Sequence, residues 1–207
     1  MKNEYTAKIL ETLLCTYPEL AKAEPDIVKA YEILLATFRA GGKVLVCGNG
    51  GSASDCEHIC GELLKKFKKH RPLPPSIAAK LRPETAARLE GSLPAVSLVS
   101  MSGIITAFAN DVAWETAFAQ QVLGLGCPGD VLIALSTSGN SANCVAAAEV
   151  MAAKGGKTIA FTGAAESKLS AIADVTVKAP AVETYRVQEY HLPIYHALCA
   201  MIEEELF

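Results

Sequence analysis

Between residues 47 and 67 the chain reads CGNGGSASDCEHICGELLKKF, a glycine turn that runs into a helix carrying an imidazole and a carboxylate four positions apart. Residues i and i+4 project from one helix face, so His58 and Glu62 are placed to share a metal ion or to act on one substrate as acid and base. Cys56 and Cys60 form a second i, i+4 pair, but an offset of two residues turns them about 200° around the axis. Both pairs cannot serve one site. We favour His58 and Glu62, because the opposite face should bury small apolar residues, and keep a thiolate site on Cys56 and Cys60 as the alternative.

A second polar loop, LSTSGNSAN at residues 135–143, follows an apolar run and opens a helix-length segment. Ser136, Thr137, Ser138 and Ser141 offer hydroxyls where the first backbone N–H groups of a helix lack intrahelical partners, which is the chemistry of a phosphate cradle. No lysine or arginine lies in the loop, so neutral donors and the helix dipole would hold the anion. Plain serine N-capping is the competing reading. The glycine loop is not a dinucleotide fingerprint: Gly48, Gly50 and Ala53 fit the spacing, but no carboxylate stands between Glu62 and Glu84 to take a ribose hydroxyl. No Lys-Ser or Lys-Thr follows, which excludes a Walker loop.

Two of the four histidines, His191 and His196, lie in the last segment beside Gln188 and Glu189. His196 is the better partner for the glycine loop. A straight helix would separate it from Gln188 by about 12 Å, so the two converge only if Pro193 bends the helix or if they meet across a subunit boundary.

The elements that must position these groups follow from apolar periodicity. Ile9, Leu13 and Leu14, then Ile27, Ala30, Leu34, Leu35 and Phe38, recur at helical spacing, and Gly41-Gly42 stops the second helix. KVLVCG, AVSLVS, DVLIALS, KTIAFTG and DVTVKAP then read as five strands separated mostly by alanine-rich helical segments, the pattern of a parallel sheet covered on both faces. The spacing predicts a long terminal helix interrupted at Pro193. Residues 70–94, with four of the ten prolines and a short helical piece, read as a surface insertion. The basic run LLKKFKKHR is expected at a helix C-terminus, where cations complement the dipole.

At 207 residues the chain suits one α/β domain, residues 1–207, with a helical extension over about 1–42. A net charge of −3 gives no reason to expect nucleic acid or an anionic membrane as partner. No apolar run is long enough to span a bilayer and no secretory leader opens the sequence, so a cytoplasmic protein is expected. Its seven cysteines, odd in number and never spaced C-x-x-C, argue for buried thiols in a reducing compartment rather than a disulfide framework.

Taken in order, CGNGGSASDCEHICGEL, FANDV, GDVLIALSTSGNS and RVQEYHLPIYH resemble the sugar-isomerase (SIS) domain family, and within it are similar to the bacterial phosphoheptose isomerases. That resemblance, over nearly the whole chain, implies a three-layer α/β fold with a five-stranded parallel sheet, and a homotetramer with active sites between subunits. It implies that Ser136, Thr137, Ser138 and Ser141 hold the phosphate of a sugar phosphate, and that Asn49, Gly50, Gly51, Ser52, Asn110 and Asp111 line the sugar. It further implies Zn²⁺ on His58, Glu62, Gln188 and His196, with Glu62 and His196 the proton-transfer pair and Glu62 and Gln188 also touching substrate. Tyr185 departs from the family pattern, standing where many members carry an aspartate. Two other functions remain open: a non-catalytic sugar-phosphate-binding regulator of the kind that associates with the DnaA initiator, and an isomerase of a different sugar phosphate.

Overall fold

The computed structural model describes residues 3–207. Strands β1 (Val44–Gly48), β2 (Ala95–Ser97), β3 (Val131–Leu135), β4 (Lys157–Thr162) and β5 (Val175–Lys178) form one parallel sheet in the order β2-β1-β3-β4-β5. They fall on the five apolar runs read from the sequence. The runs of β1, β3 and β4 are continuous rather than alternating because both sheet faces are buried there, whereas β5, at the sheet edge, alternates buried Val175 and Val177 with part-exposed Thr176 and Lys178. Val44, Val46, Ile133, Ile159 and Phe161 face one core, while Leu45, Cys47, Leu132, Ala134 and Ala160 face the other.

The described residues form ten α-helices: α1 (Glu4–Thr16), α2 (Glu24–Arg39), α3 (Gly51–Leu64), α4 (Pro75–Ala78), α5 (Pro83–Ala86), α6 (Ser102–Asp111), α7 (Ala117–Leu125), α8 (Ala142–Ala153), α9 (Lys168–Ile172) and α10 (Thr184–Leu206). Helices α1, α2, α3 and α10 bury Leu10, Ile27, Ile59 and Leu198 in the first core; α7, α8 and α9 bury Val122, Met151 and Leu169 in the second. Helix α2 stops as expected. Gly42 N–H donates to the Thr37 carbonyl at 2.9 Å and Gly41 N–H to the Phe38 carbonyl at 3.0 Å, the paired bonds of a Schellman cap.

Three expectations need correction. Helix α10 is continuous through Pro193 rather than interrupted. The carbonyl that proline cannot serve belongs to Glu189, which is exposed, so water can take that bond. Residues 70–94 hold two single-turn helices, α4 and α5, rather than one helical piece. The basic run lies mostly beyond its helix: α3 ends at Leu64, and the following backbone turns away to wrap a carboxylate of α10. No helix among the described residues is long and apolar enough to cross a membrane.

Candidate active site

The sheet order changes direction between β1 and β3, and the register sets Gly48 opposite Leu135, so both strands end level at one edge. Their continuations part there: α3 packs on one face and α8 on the other. Open α/β sheets bind ligands in the crevice this parting creates. The glycine loop and the serine loop are its two walls, stitched together by a reciprocal amide pair in which Asn49 Nδ2 donates to Asn143 Oδ1 and Asn143 Nδ2 to Asn49 Oδ1, both at 2.9 Å.

In the serine loop, Ser136 Oγ lies 2.9 Å from Ser141 Oγ. Ser141 is the N-cap residue of α8, yet its side chain makes no bond to the first turn of that helix. Plain N-capping therefore does not account for it, and the N-terminal dipole of α8 faces the crevice with hydroxyls beside it. Ser138 Oγ accepts from Asn140 N–H at 3.2 Å, bracing the tip of the turn. Gly139, at φ +66°, rests directly on Ser167, whose hydroxyl caps α9. A Cβ there would sit 2.1 Å from Ser167 Oγ. Gly139→Ala should thus cost about 1–3 kcal/mol from the left-handed backbone and overpacking, read as a lowered urea midpoint.

Helices α3 and α10 run parallel, side by side, with partners about 137 positions apart. At their start Gln188 Nε2 approaches Ser52 Oγ at 3.4 Å, and Gly51 leaves room for the Gln188 amide, which a Cβ would meet at 2.8 Å. Two turns further along, His196 Nε2 lies 3.2 Å from His58 Nε2, and Glu62 Oε1 lies 3.3 Å from the same nitrogen. Lys65 Nζ holds the other Glu62 oxygen at 3.2 Å. Burial, and then the neighbouring His58, keep His196 below the ordinary imidazole pKa. On the far side of His58, its Nδ1 is 2.9 Å from the Tyr195 hydroxyl, which also donates to Asp55 Oδ1 at 3.1 Å.

Of the expected residues, the structure brings together His58, Glu62 and His196 within one chain, without a bend at Pro193. Gln188 stays with the glycine loop at the other end of the helix pair. Among the described residues no three of His, Cys, Asp and Glu close round a common point. The three groups meet pairwise through His58 Nε2, and imidazole nitrogens and a carboxylate are donor types that zinc accepts. Asn110 and Asp111 end α6, exposed and bonded to each other at 2.8 Å.

The thiolate alternative fails on environment. Cys56 is buried and donates to the Ser52 carbonyl at 3.0 Å, and burial pushes its thiol well up and that of Cys60 to about 12. All seven cysteines are free, five of them buried. His191 belongs to the core: its Nε2 meets the Thr162 carbonyl at 3.2 Å, and burial lowers its pKa to about 4. Sequence reasoning missed Asn143, Asp55 and Tyr195. The first could have been suspected from a second asparagine within the serine loop; Tyr195 reads as an ordinary apolar position of α10.

The chain matches the SIS domain family over residues 4–163. It is 35% identical over 206 residues to the phosphoheptose isomerase of Rhodospirillum rubrum, covering 100% of this chain and 99% of that protein. Among solved structures it is similar to phosphoheptose isomerase GmhA from Neisseria gonorrhoeae, with a TM-score of 0.72, 31% identity, and coverage of 94% of this chain and 98% of that one. It is likewise similar to a phosphoheptose isomerase from Francisella tularensis, with a TM-score of 0.74, 28% identity and 99% coverage of each chain.

Proposed function

Since the chain belongs to the SIS-domain family, and within it to the phosphoheptose isomerases, we propose that it interconverts sedoheptulose 7-phosphate and D-glycero-D-manno-heptose 7-phosphate. The observation that carries the reading is the contact of two imidazoles and a carboxylate: His58 and Glu62 on α3, the helix that starts at the crevice, meet His196 on the adjacent α10.

The reaction moves one proton between neighbouring carbons. Glu62 takes the proton from C1 of the ketose while His196 supplies a proton to the carbonyl oxygen at C2, giving an enediol(ate). Glu62 then returns its proton to C2 and the C1 hydroxyl gives its proton to His196, which leaves the aldose and restores both side chains. His196 suits this exchange because burial favours its neutral form, which both accepts and donates. The hydroxyls of Ser136, Thr137, Ser138 and Ser141 hold the far phosphate, and that remote binding orients the carbon chain over the proton carriers. Asn49, Gly50, Gly51 and Ser52 line the sugar from the facing loop.

Zinc assistance belongs to the same proposal. His58, Glu62 and His196 would hold the ion, which when bound polarises adjacent oxygens of the substrate as a Lewis acid. Gln188, Asn110 and Asp111 join the site in a homotetramer with active centres between subunits. Helix α6, which buries none of its residues and leaves Ile104 exposed, with Val112 and Trp114 exposed just beyond it, supports such an assembly. A cytoplasmic location agrees with five buried free thiols.

Incubation with sedoheptulose 7-phosphate in D₂O, followed by NMR, should show an aldose 7-phosphate with deuterium at C2. Absence of that product, with turnover of a hexose or pentose phosphate, would transfer the activity to another sugar. Phosphate-ester binding without any turnover would favour a sugar-phosphate-binding regulator.

A further inference from the structure

We propose that Asp55 and Tyr195 are positioning residues that fix the tautomer of His58, so that its Nε2 presents a bare lone pair to Glu62 and His196. The inference rests on the reading of those three residues as the working cluster, but it can be tested without substrate.

Tyr195 is 2% exposed, and its hydroxyl bridges Asp55 Oδ1 at 3.1 Å and His58 Nδ1 at 2.9 Å. A phenol has one proton to donate and lone pairs to accept with, so the bridge can run in two directions. In the first, Tyr195 donates to Asp55 and accepts from His58 Nδ1–H, leaving Nε2 unprotonated. In the second, Tyr195 donates to Nδ1, which forces the His58 proton onto Nε2 and leaves the Asp55 carboxylate facing a phenol lone pair. Each direction supplies one hydrogen bond to a carboxylate, the stronger kind, on Asp55 at 3.1 Å in the first and on Glu62 at 3.3 Å in the second; Glu62 already has Lys65 at 3.2 Å, and only the first direction makes hydrogen bonds of both phenol contacts, so the first prevails. The edge-on packing of its ring against both His58 and His196, with centroids 5.5 and 4.9 Å away, holds the imidazoles at that register.

The tautomer matters because His58 Nε2 is 3.3 Å from Glu62 Oε1. Were Nε2 protonated, it would donate to Glu62 and occupy the lone pair a general base requires. With Nε2 bare, Glu62 remains a free acceptor, and His58 accepts from His196 Nε2–H across 3.2 Å or offers its lone pair to a divalent cation.

The chain has four histidines, so two-bond ¹H–¹⁵N correlation spectra of the protein labelled at histidine, taken without metal or substrate where the rings are neutral, resolve the question. His58 should appear as the Nδ1–H tautomer. Tyr195→Phe, which retains the ring, should shift it towards Nε2–H and lower kcat roughly 10–100-fold with KM little changed. Asp55→Ala frees the phenol to donate to Nδ1 and should reverse the tautomer outright. Asp55→Asn, whose amide oxygen accepts the phenol proton, should restore it. An Nε2–H tautomer in the unsubstituted protein, or a His58 signal unchanged in both Tyr195→Phe and Asp55→Ala, would overturn the proposal. Failure of the isomerase reading would instead show as absent turnover with the tautomers as expected.

Discussion

Glu62→Gln is expected to lower turnover of the ketose phosphate by roughly 10²–10⁴-fold, with KM changed far less. The substitution keeps the size and polarity of a side chain that is only 12% exposed, held between His58 at 3.3 Å and Lys65 at 3.2 Å. What it removes is the capacity to take a proton from carbon. Binding is dominated in this reading by the serine loop, which Glu62 does not touch, so the loss falls on the chemical step. It amounts to about 3–5 kcal/mol of transition-state stabilisation. His196→Gln should act on the same step, and the double variant should be little worse than either single one, because the base at carbon and the acid at oxygen work in one step as a unit. Steady-state kinetics, with deuterium wash-in at C1 of unreacted ketose as a second readout, check both points. Retention of turnover within tenfold in Glu62→Gln would remove Glu62 from the role of base.

How far such a site can be read without coordinates depends on the range of the forces involved. The central strands β1, β3 and β4 were legible because parallel strands buried on both faces must be apolar along nearly their whole length, and the end of α2 was legible because Gly41 and Gly42 can form its cap locally. The types at His58, Glu62 and His196 announced proton or metal chemistry. Their contact was not legible, because it depends on the parallel packing of α3 on α10, where Ile59 and Leu63 pack in one core with Ile194 and Leu198. The same packing explains why Gln188 does not join them: a constant offset along two parallel helices sets it beside Ser52 instead. Tyr195 was hidden for a related reason. Its ring obeys the apolar periodicity of α10, and only the hydroxyl at its tip, between Asp55 and His58, carries polar information.

The largest effect on stability is expected at a pair the sequence concealed entirely. Arg71 looks like the end of a solvated basic run, yet it is fully buried, with Nε 2.7 Å from Glu203 Oε1. Its other nitrogens donate to the Leu63 and Glu62 carbonyls at 2.5 and 2.8 Å, closing the end of α3. Glu203 also accepts from the N–H groups of Phe67, Lys68 and Lys69 at 2.7–2.9 Å. One carboxylate thus fastens the loop after α3 to α10, and that loop sets the Phe67 ring 5.4 Å from His196.

Glu203→Gln leaves a buried guanidinium without its counter-charge and should cost about 3–5 kcal/mol, a large share of the 5–15 kcal/mol typical of a folded domain. Arg71→Met combined with Glu203→Leu should recover only part of that. It removes the buried charges but leaves three N–H groups and two helix-terminal carbonyls bare. Proton linkage gives an independent check. Burial alone would raise the Glu203 pKa, but the three N–H donors and Arg71 outweigh it and hold the carboxyl below the ordinary glutamate value. Its contribution is therefore fully present above the unfolded-state pKa and is lost as pH falls through the lower, folded-state one. Urea midpoints of the unsubstituted protein should drop on acidification through that window, and those of Glu203→Gln should drop less. Equal slopes in the two proteins would mean that the carboxylate at position 203 is not what couples the loop to α10.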